Sequence, residues 1–167
     1  MKNFKEALNS VRCFVFDVDG VLTNGTLLVL QNELHRTMNI RDGFAMKEAV
    51  EKGYHVVIIS GGKSESVRTR LANLGIKDIY LGVQDKIEKL DEIKILYDLK
   101  KEEILYMGDD IPDYFAMQQV GVPTCPNDAT HEIRALSMYI SPFNGGEGCA
   151  RDIIEQTMKL HGKWPVQ

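Results

Sequence analysis

The 167-residue sequence predicts an α/β fold, a doubly wound parallel sheet, and three observations carry that expectation. Apolar, β-rich runs recur along the chain. Amphipathic helical stretches separate them. Polar residues gather where the runs end. Strands that are apolar throughout, rather than alternating, belong to sheets covered by helices on both faces.

The elements follow in order. "CFVFDV" reads as the first buried strand. "LLVLQNELHRTMNI" lacks helical periodicity and suggests two strands around Gln31-Asn32-Glu33, an inserted hairpin over about residues 25–40. "DGFAMKEAVEKG" follows as a helix, with Asp42 as N-cap, an apolar face at Met46, Ala49 and Val50, and Gly53 as its stop. "YHVVIIS" is the second strand of the sheet, and "SESVRTRLANLG" a helix from Ser64 to Gly75. "DIYLG" is a short third strand, and "DKIEKLDEIKILYDL" a helix with Ile87, Leu90, Ile93, Leu96 and Tyr97 on one face. "ILYMG" is the fourth strand. "IPDYFAMQQVG" begins with Pro112 in its first turn and ends on a glycine. "VPTC" and "MYIS" are weaker strand candidates. No linker, repeat or low-complexity segment divides the chain, so residues 1–167 are expected to form one domain, with a tail over about 161–167.

Composition narrows the function. The chain is 44% hydrophobic and 26% charged with a net charge of −4, so no global basic field favours nucleic acid or an anionic membrane. No apolar run approaches membrane-spanning length, and the N-terminus has no signal-type apolar region. The three cysteines (Cys13, Cys125, Cys149) form no CxxC pair and the four histidines show no zinc-ligand spacing. Reduced, buried thiols in a cytoplasmic protein are expected.

Ligands bind at the carboxyl ends of strands in open α/β sheets. Those ends carry Asp17-Val18-Asp19-Gly20, Ser60-Gly61-Gly62 and Gly108-Asp109-Asp110, and Lys86 opens the helix after the third strand. Each alone has a plain reading: a turn, a cap, a solvated lysine. Together they suit phosphoryl transfer through a covalent aspartate. Asp17 would attack phosphorus. Asp19 would protonate the leaving oxygen and then take a proton from water. Mg²⁺ would be held by Asp17, Asp109 and the backbone carbonyl of Asp19. Lys86 and Ser60, with Gly61, would hold the phosphoryl oxygens.

"DVDGVLT", "IISGG", Lys86 and "GDDIPD" resemble the four motifs of haloacid-dehalogenase-type phosphatases, in that family's order. A two-component receiver domain uses similar residues, but there the lysine comes last. Only 43 positions separate Asp17 from Ser60, and 26 separate Ser60 from Lys86, too few for a cap domain. The capless branch with such a hairpin is similar to the 3-deoxy-manno-octulosonate 8-phosphate (KDO 8-phosphate) phosphatases. "NIRDGFAMK" is similar to that family's substrate loop, and "GGEGCARD" to the segment before its last helix.

The resemblance implies a homotetramer built on hairpins, with a tail reaching a neighbour's site. It places Asp19, Asn39, Arg41, Asp42, Gly43, Lys47, Gly61, Arg70 and Lys86 near the substrate. It implies a sugar-phosphate substrate and a role in lipopolysaccharide precursor synthesis. Many members carry arginine where Gly62 stands. The group acting on nine-carbon keto-acid phosphates tends to have glutamate there and a lysine near Asn73, so the loop favours the eight-carbon acid. A broader sugar phosphatase and a non-catalytic regulator are the alternatives, and the complete set Asp17, Asp19, Ser60, Lys86 and Asp109 argues against the regulator.

Overall fold

The structure, a computed structural model, describes residues 3–166. In chain order the first elements are α1 (Phe4–Leu8), β1 (Cys13–Phe16), β2 (Leu28–Val29), β3 (Leu34–His35), α2 (Ile40–Glu51) and β4 (His55–Ile59). Next come α3 (Glu65–Ala72), β5 (Asp78–Tyr80), α4 (Lys86–Tyr97), β6 (Ile104–Met107) and α5 (Ile111–Met117). β7 (Val122–Cys125), α6 (His131–Leu136), β8 (Tyr139–Ile140) and α7 (Cys149–Leu160) complete the chain.

Six strands form one sheet in the order β5-β4-β1-β6-β7-β8, and every pairing is parallel. The alternation of side chains along β1 explains why both faces are covered. Phe14 and Phe16 pack with Ala45 and Met46 of α2 and with Ile153 and Ile154 of α7. Cys13 and Val15 point the other way, towards Leu90 and Ile93 of α4 and Ile133 of α6. Truncating a fully buried ring such as Phe16 to alanine costs about 3–5 kcal/mol. The doubly wound α/β expectation holds, and the weaker candidates "VPTC" and "MYIS" are its outer strands.

Chain direction places the functional end. From β1 the chain crosses to β4 on one side and later to β6 on the other, so the winding reverses between β1 and β6. The crevice at the carboxyl ends of these two strands is where Asp17 and Asp109 emerge.

Several local readings need correction. Asn39, not Asp42, caps α2: its side-chain oxygen accepts the N–H groups of Arg41 (2.8 Å) and Asp42 (3.3 Å). Asp42 is then inside the first turn, 1% exposed, and its Oδ1 accepts the N–H of Arg151 (2.8 Å) at the start of α7. Asp110 caps α5, which ends at Met117, four residues before Gly121. The apolar face of α4 is narrower than expected, because Leu96 is 61% exposed.

β2 and β3 are two residues each and pair antiparallel in a separate sheet. Leu27, Leu28, Val29, Leu30 and Leu34 are all exposed, so among the described residues the apolar side chains of the hairpin stay uncovered. At the other end, Trp164 is buried against its own chain. It meets Phe44 edge-on at 6.1 Å, with the Arg151 guanidinium 5.2 Å from its ring. As far as Trp164 the tail lies on α2 and α7 of its own chain. Gln167 lies outside the described residues.

Candidate active site

The loop after β1 starts the site. Gly20 has φ +85°, and a Cβ there would lie 1.8 Å from Asp109 Oδ2, so both conformation and space demand glycine. The loop is braced from behind by Gly145-Gly146: a Cβ on Gly145 would meet the Gly20 carbonyl oxygen at 2.0 Å, and the Gly146 N–H donates to the Val21 carbonyl (2.9 Å). The "GGEG" stretch thus holds the first motif in place.

Asp17 leaves β1 buried. The Val18 N–H donates to its Oδ1 (2.6 Å), and Lys86 Nζ, from the first residue of α4, lies 2.9 Å from its Oδ2. Lys86 also bonds Asp113 Oδ1 at 2.7 Å. Asp113 is wholly buried and accepts from the Tyr106 hydroxyl (2.8 Å) and the Asp109 N–H (3.3 Å). It fixes the lysine, and through Asp109 it fixes the end of β6. Asp113 was not singled out from sequence, although its place four residues after Asp109 puts both on one side of the β6–α5 turn.

The charges do not balance. Burial, then Asp113, raises the Asp17 carboxyl to about 7 against the pull of Lys86. Burial, then Asp17 and Asp113, raises Asp109 to about 8. Carboxylate oxygens of Asp17, Asp109 and Asp113 lie within 4.8 Å of one another, and among the described residues no protein donor reaches the Asp109 carboxylate. Clustered carboxylates with one lysine between them are short of positive charge, and hard oxygen donors at that spacing fit a divalent cation such as Mg²⁺. Because Asp113 is already committed to Lys86, Tyr106 and Asp109, the side chains that would hold the ion are Asp17 and Asp109.

Ser60 follows β4 and is 2% exposed. Its Oγ accepts the Gly62 N–H (3.3 Å), so it caps its turn and also faces the cleft. Asp17, Asp19, Ser60, Gly61, Lys86 and Asp109 line one cleft of about 380 Å³. The residues placed there by motif order are therefore brought together.

The loop residues are not. Asn39 and Arg41 line a second cleft of about 480 Å³ beside α7, with Arg151 and Lys159. Asp42 is the buried cap described above. Gly43 lies under Arg70, whose Nη2 would be 2.7 Å from a Cβ there. Lys47 is solvent-exposed, 3.9 Å from Glu51. None of these six lines the acidic cleft. Arg36, by contrast, was missed in the sequence and reaches Asp19 from the hairpin (Nε to Oδ1, 2.6 Å).

An acidic cleft at the switch point, with aspartates after β1 and β6 and a lysine between them, has the donor set that phosphoryl transfer uses, and similarity to known proteins supplies the class. No family model matches the chain. It is 30% identical over 155 residues to 3-deoxy-D-manno-octulosonate 8-phosphate phosphatase KdsC of Escherichia coli K12, covering 92% of this chain and 82% of that one. Among solved structures, the corresponding phosphatase of Yersinia pestis superposes with a TM-score of 0.93 at 27% identity, covering 96% of this chain and 87% of that one. That of Moraxella catarrhalis, in complex with magnesium, phosphate and KDO, gives 0.90 at 27%, with 94% and 91% covered. The chain belongs to the KdsC family of haloacid-dehalogenase-superfamily phosphatases, and it is a phosphoric monoester hydrolase.

Proposed function

We propose that the chain hydrolyses KDO 8-phosphate to KDO and phosphate through an aspartyl-phosphate on Asp17, and so supplies lipopolysaccharide precursor synthesis. The observation that carries the chemistry is the shared cleft of Asp17, Asp19, Ser60, Lys86 and Asp109. The Moraxella relative, crystallised with magnesium, phosphate and KDO, supports the substrate.

Asp17 attacks phosphorus, forming one P–O bond as the ester P–O bond breaks. The leaving oxygen takes a proton from Asp19. Asp19, now a carboxylate, takes a proton from water, whose oxygen attacks phosphorus and breaks the bond to Asp17. Lys86 and Ser60 hold the non-bridging oxygens, where charge is spread in the transition state. Asp17 and Asp109 would hold Mg²⁺, which would supply positive charge against the repulsion between anionic nucleophile and anionic phosphate.

The cleft is open, so water exclusion has to come from elsewhere. We place it in a homo-oligomer, a tetramer by family resemblance. The exposed apolar hairpin supports this, since two short strands alone are marginal and leave unpaired edges. Asn39 and Arg41 then meet substrate only from a neighbouring copy. The described residues include no helix long and apolar enough to cross a membrane, and all three cysteines are buried free thiols, which fits a cytoplasmic protein.

The test is phosphate release with Mg²⁺ across KDO 8-phosphate, nine-carbon keto-acid 9-phosphates and hexose phosphates. Preference for the eight-carbon acid by about 100-fold or more in kcat/KM supports the assignment. A flat profile removes the substrate but keeps the chemistry.

A further inference from the structure

Arg36 follows β3 directly, and its side chain turns inward from the hairpin. Its Nε lies 2.6 Å from Asp19 Oδ1 and its Nη2 3.2 Å from Oδ2, a two-point clasp of one carboxylate. The guanidinium side chain is 7% exposed, whereas Asp19 is 38% exposed. Asp19 therefore stands between Arg36 and the cleft. Arg36 does not line that cleft; with Val67 and Leu81 it lines an adjoining gap of only about 10 Å³ that shares Asp19, Ser60 and Gly62 with the cleft. Gly62 makes the arrangement possible. A Cβ at position 62 would sit 3.1 Å from Arg36 Nη2 and 3.1 Å from Asp19 Oδ2, tighter than ordinary contact with both partners.

We propose that Arg36 is a positioning residue for the phosphatase reaction, that it holds the Asp19 carboxylate at the angle proton transfer needs, and that Gly62 provides the space for the clasp. The inference rests on the reading of Asp19 as the proton-transfer group. Bidentate pairing fixes both the plane and the rotation of a carboxylate, which a single contact cannot. A guanidinium taken out of water stays with its partner, because leaving it unpaired is unfavourable. The hairpin thereby serves the site of its own chain as well as any contact between copies. Arg36 itself is not among the residues lining the cleft; both of its contacts go to the Asp19 carboxylate that does line it.

Leaving-group dependence separates positioning from scaffolding. A sugar phosphate releases an alkoxide that needs a proton, while 4-nitrophenyl phosphate releases a stable phenolate that does not. The full chain with saturating Mg²⁺ is assayed as wild type, Arg36→Ala, Arg36→Lys, Gly62→Ala and Asp19→Asn. Arg36→Ala is expected to lower kcat/KM, which reports the ester-cleaving first step and not the shared hydrolysis of the phosphoenzyme, by about tenfold or more on the sugar phosphate and by less than about threefold on the nitrophenyl ester. Arg36→Lys, which keeps a cation but cannot span both oxygens, restores only part of the rate. It also serves as the test variant if the alanine variant does not fold. Gly62→Ala gives a smaller loss of the same selectivity. Equal loss of kcat/KM on both esters, or no loss on either, overturns the proposal. If Asp19→Asn discriminates between the esters and Arg36→Ala does not, the positioning role alone falls; if Asp19→Asn does not discriminate, the acid–base reading of Asp19 falls with it.

Discussion

Lys86 Nζ sits 2.9 Å from Asp17 Oδ2, and neither side chain is more than 11% exposed. This ion pair joins the first residue of α4 to the exit of β1 and is continued to Asp113 at 2.7 Å. Lys86→Met is expected to leave two buried carboxylates facing each other and to cost about 3 kcal/mol at pH 8. Urea denaturation of metal-free protein checks this, and an unchanged midpoint would show that the lysine is not needed to neutralise them.

Gly20 and Asp109 share the next constraint. Gly20→Ala puts a methyl group into the Asp109 carboxylate and also forces alanine to φ +85°. The backbone term alone is about 1 kcal/mol. The larger expected effect is on the cation: the Mg²⁺ concentration for half-maximal activity rises by about tenfold or more. Chelator should abolish turnover, and Mg²⁺ at about 100 times its Kd should raise Tm by about 5 °C or more in the wild type. Gly20→Ala would lose that thermal shift.

Asp42 predicts a pH effect on stability away from the site. Burial raises its carboxyl to about 6, although the N–H groups of Arg151 and Gly148 pull it down, and among the described residues its Oδ2 has no partner. The folded protein thus holds this proton more tightly than the unfolded chain. The stabilisation is complete below the unfolded value near 4 and is lost as pH rises through about 6, a fall of about 3 kcal/mol. Asp42→Asn keeps an acceptor for Arg151 and removes the charge, so it should flatten the profile and be the more stable protein at pH 8. Denaturation midpoints at pH 5 and pH 8 decide; parallel profiles for the two proteins would contradict this.

The hairpin carries the assembly prediction. Val29 is 72% and Leu28 62% exposed, and each lies in a strand with free edges. The double substitution Leu28→Lys, Val29→Lys should reduce the mass in light scattering from an oligomer to a monomer, with the sheet core unaffected by circular dichroism. An unaltered mass would place the contact elsewhere.

Much of this was legible in the sequence, for identifiable reasons. Strands buried on both faces must be apolar, so the few polar residues at their ends stand out; Asp17, Ser60 and Asp109 were readable for that reason. Lys86 was readable because it opens a helix pointing at the same crevice. Arg36 was not, because a two-residue strand has no packed face from which the direction of the next side chain can be inferred. Asp42 was misplaced because Asn39, three residues earlier, is an equally good cap, and only the packing of α2 on α7 decides between them. Trp164 illustrates the same limit. Its partners Phe44 and Arg151 are distant in sequence, so the tail alone does not reveal that the ring packs between α2 and α7.

The central claim is that Asp17 attacks phosphorus, and the stereochemical course at phosphorus tests it most directly. A substrate made chiral at phosphorus by isotopic oxygen and sulfur would be hydrolysed in labelled water. Two in-line displacements, first by Asp17 and then by water, predict retention of configuration, and Asp17→Asn should hold no more than a few per cent of the wild-type rate while remaining folded. Inversion would mean that water attacks the ester in a single step, and Asp17 would then be no more than part of the cation's binding site.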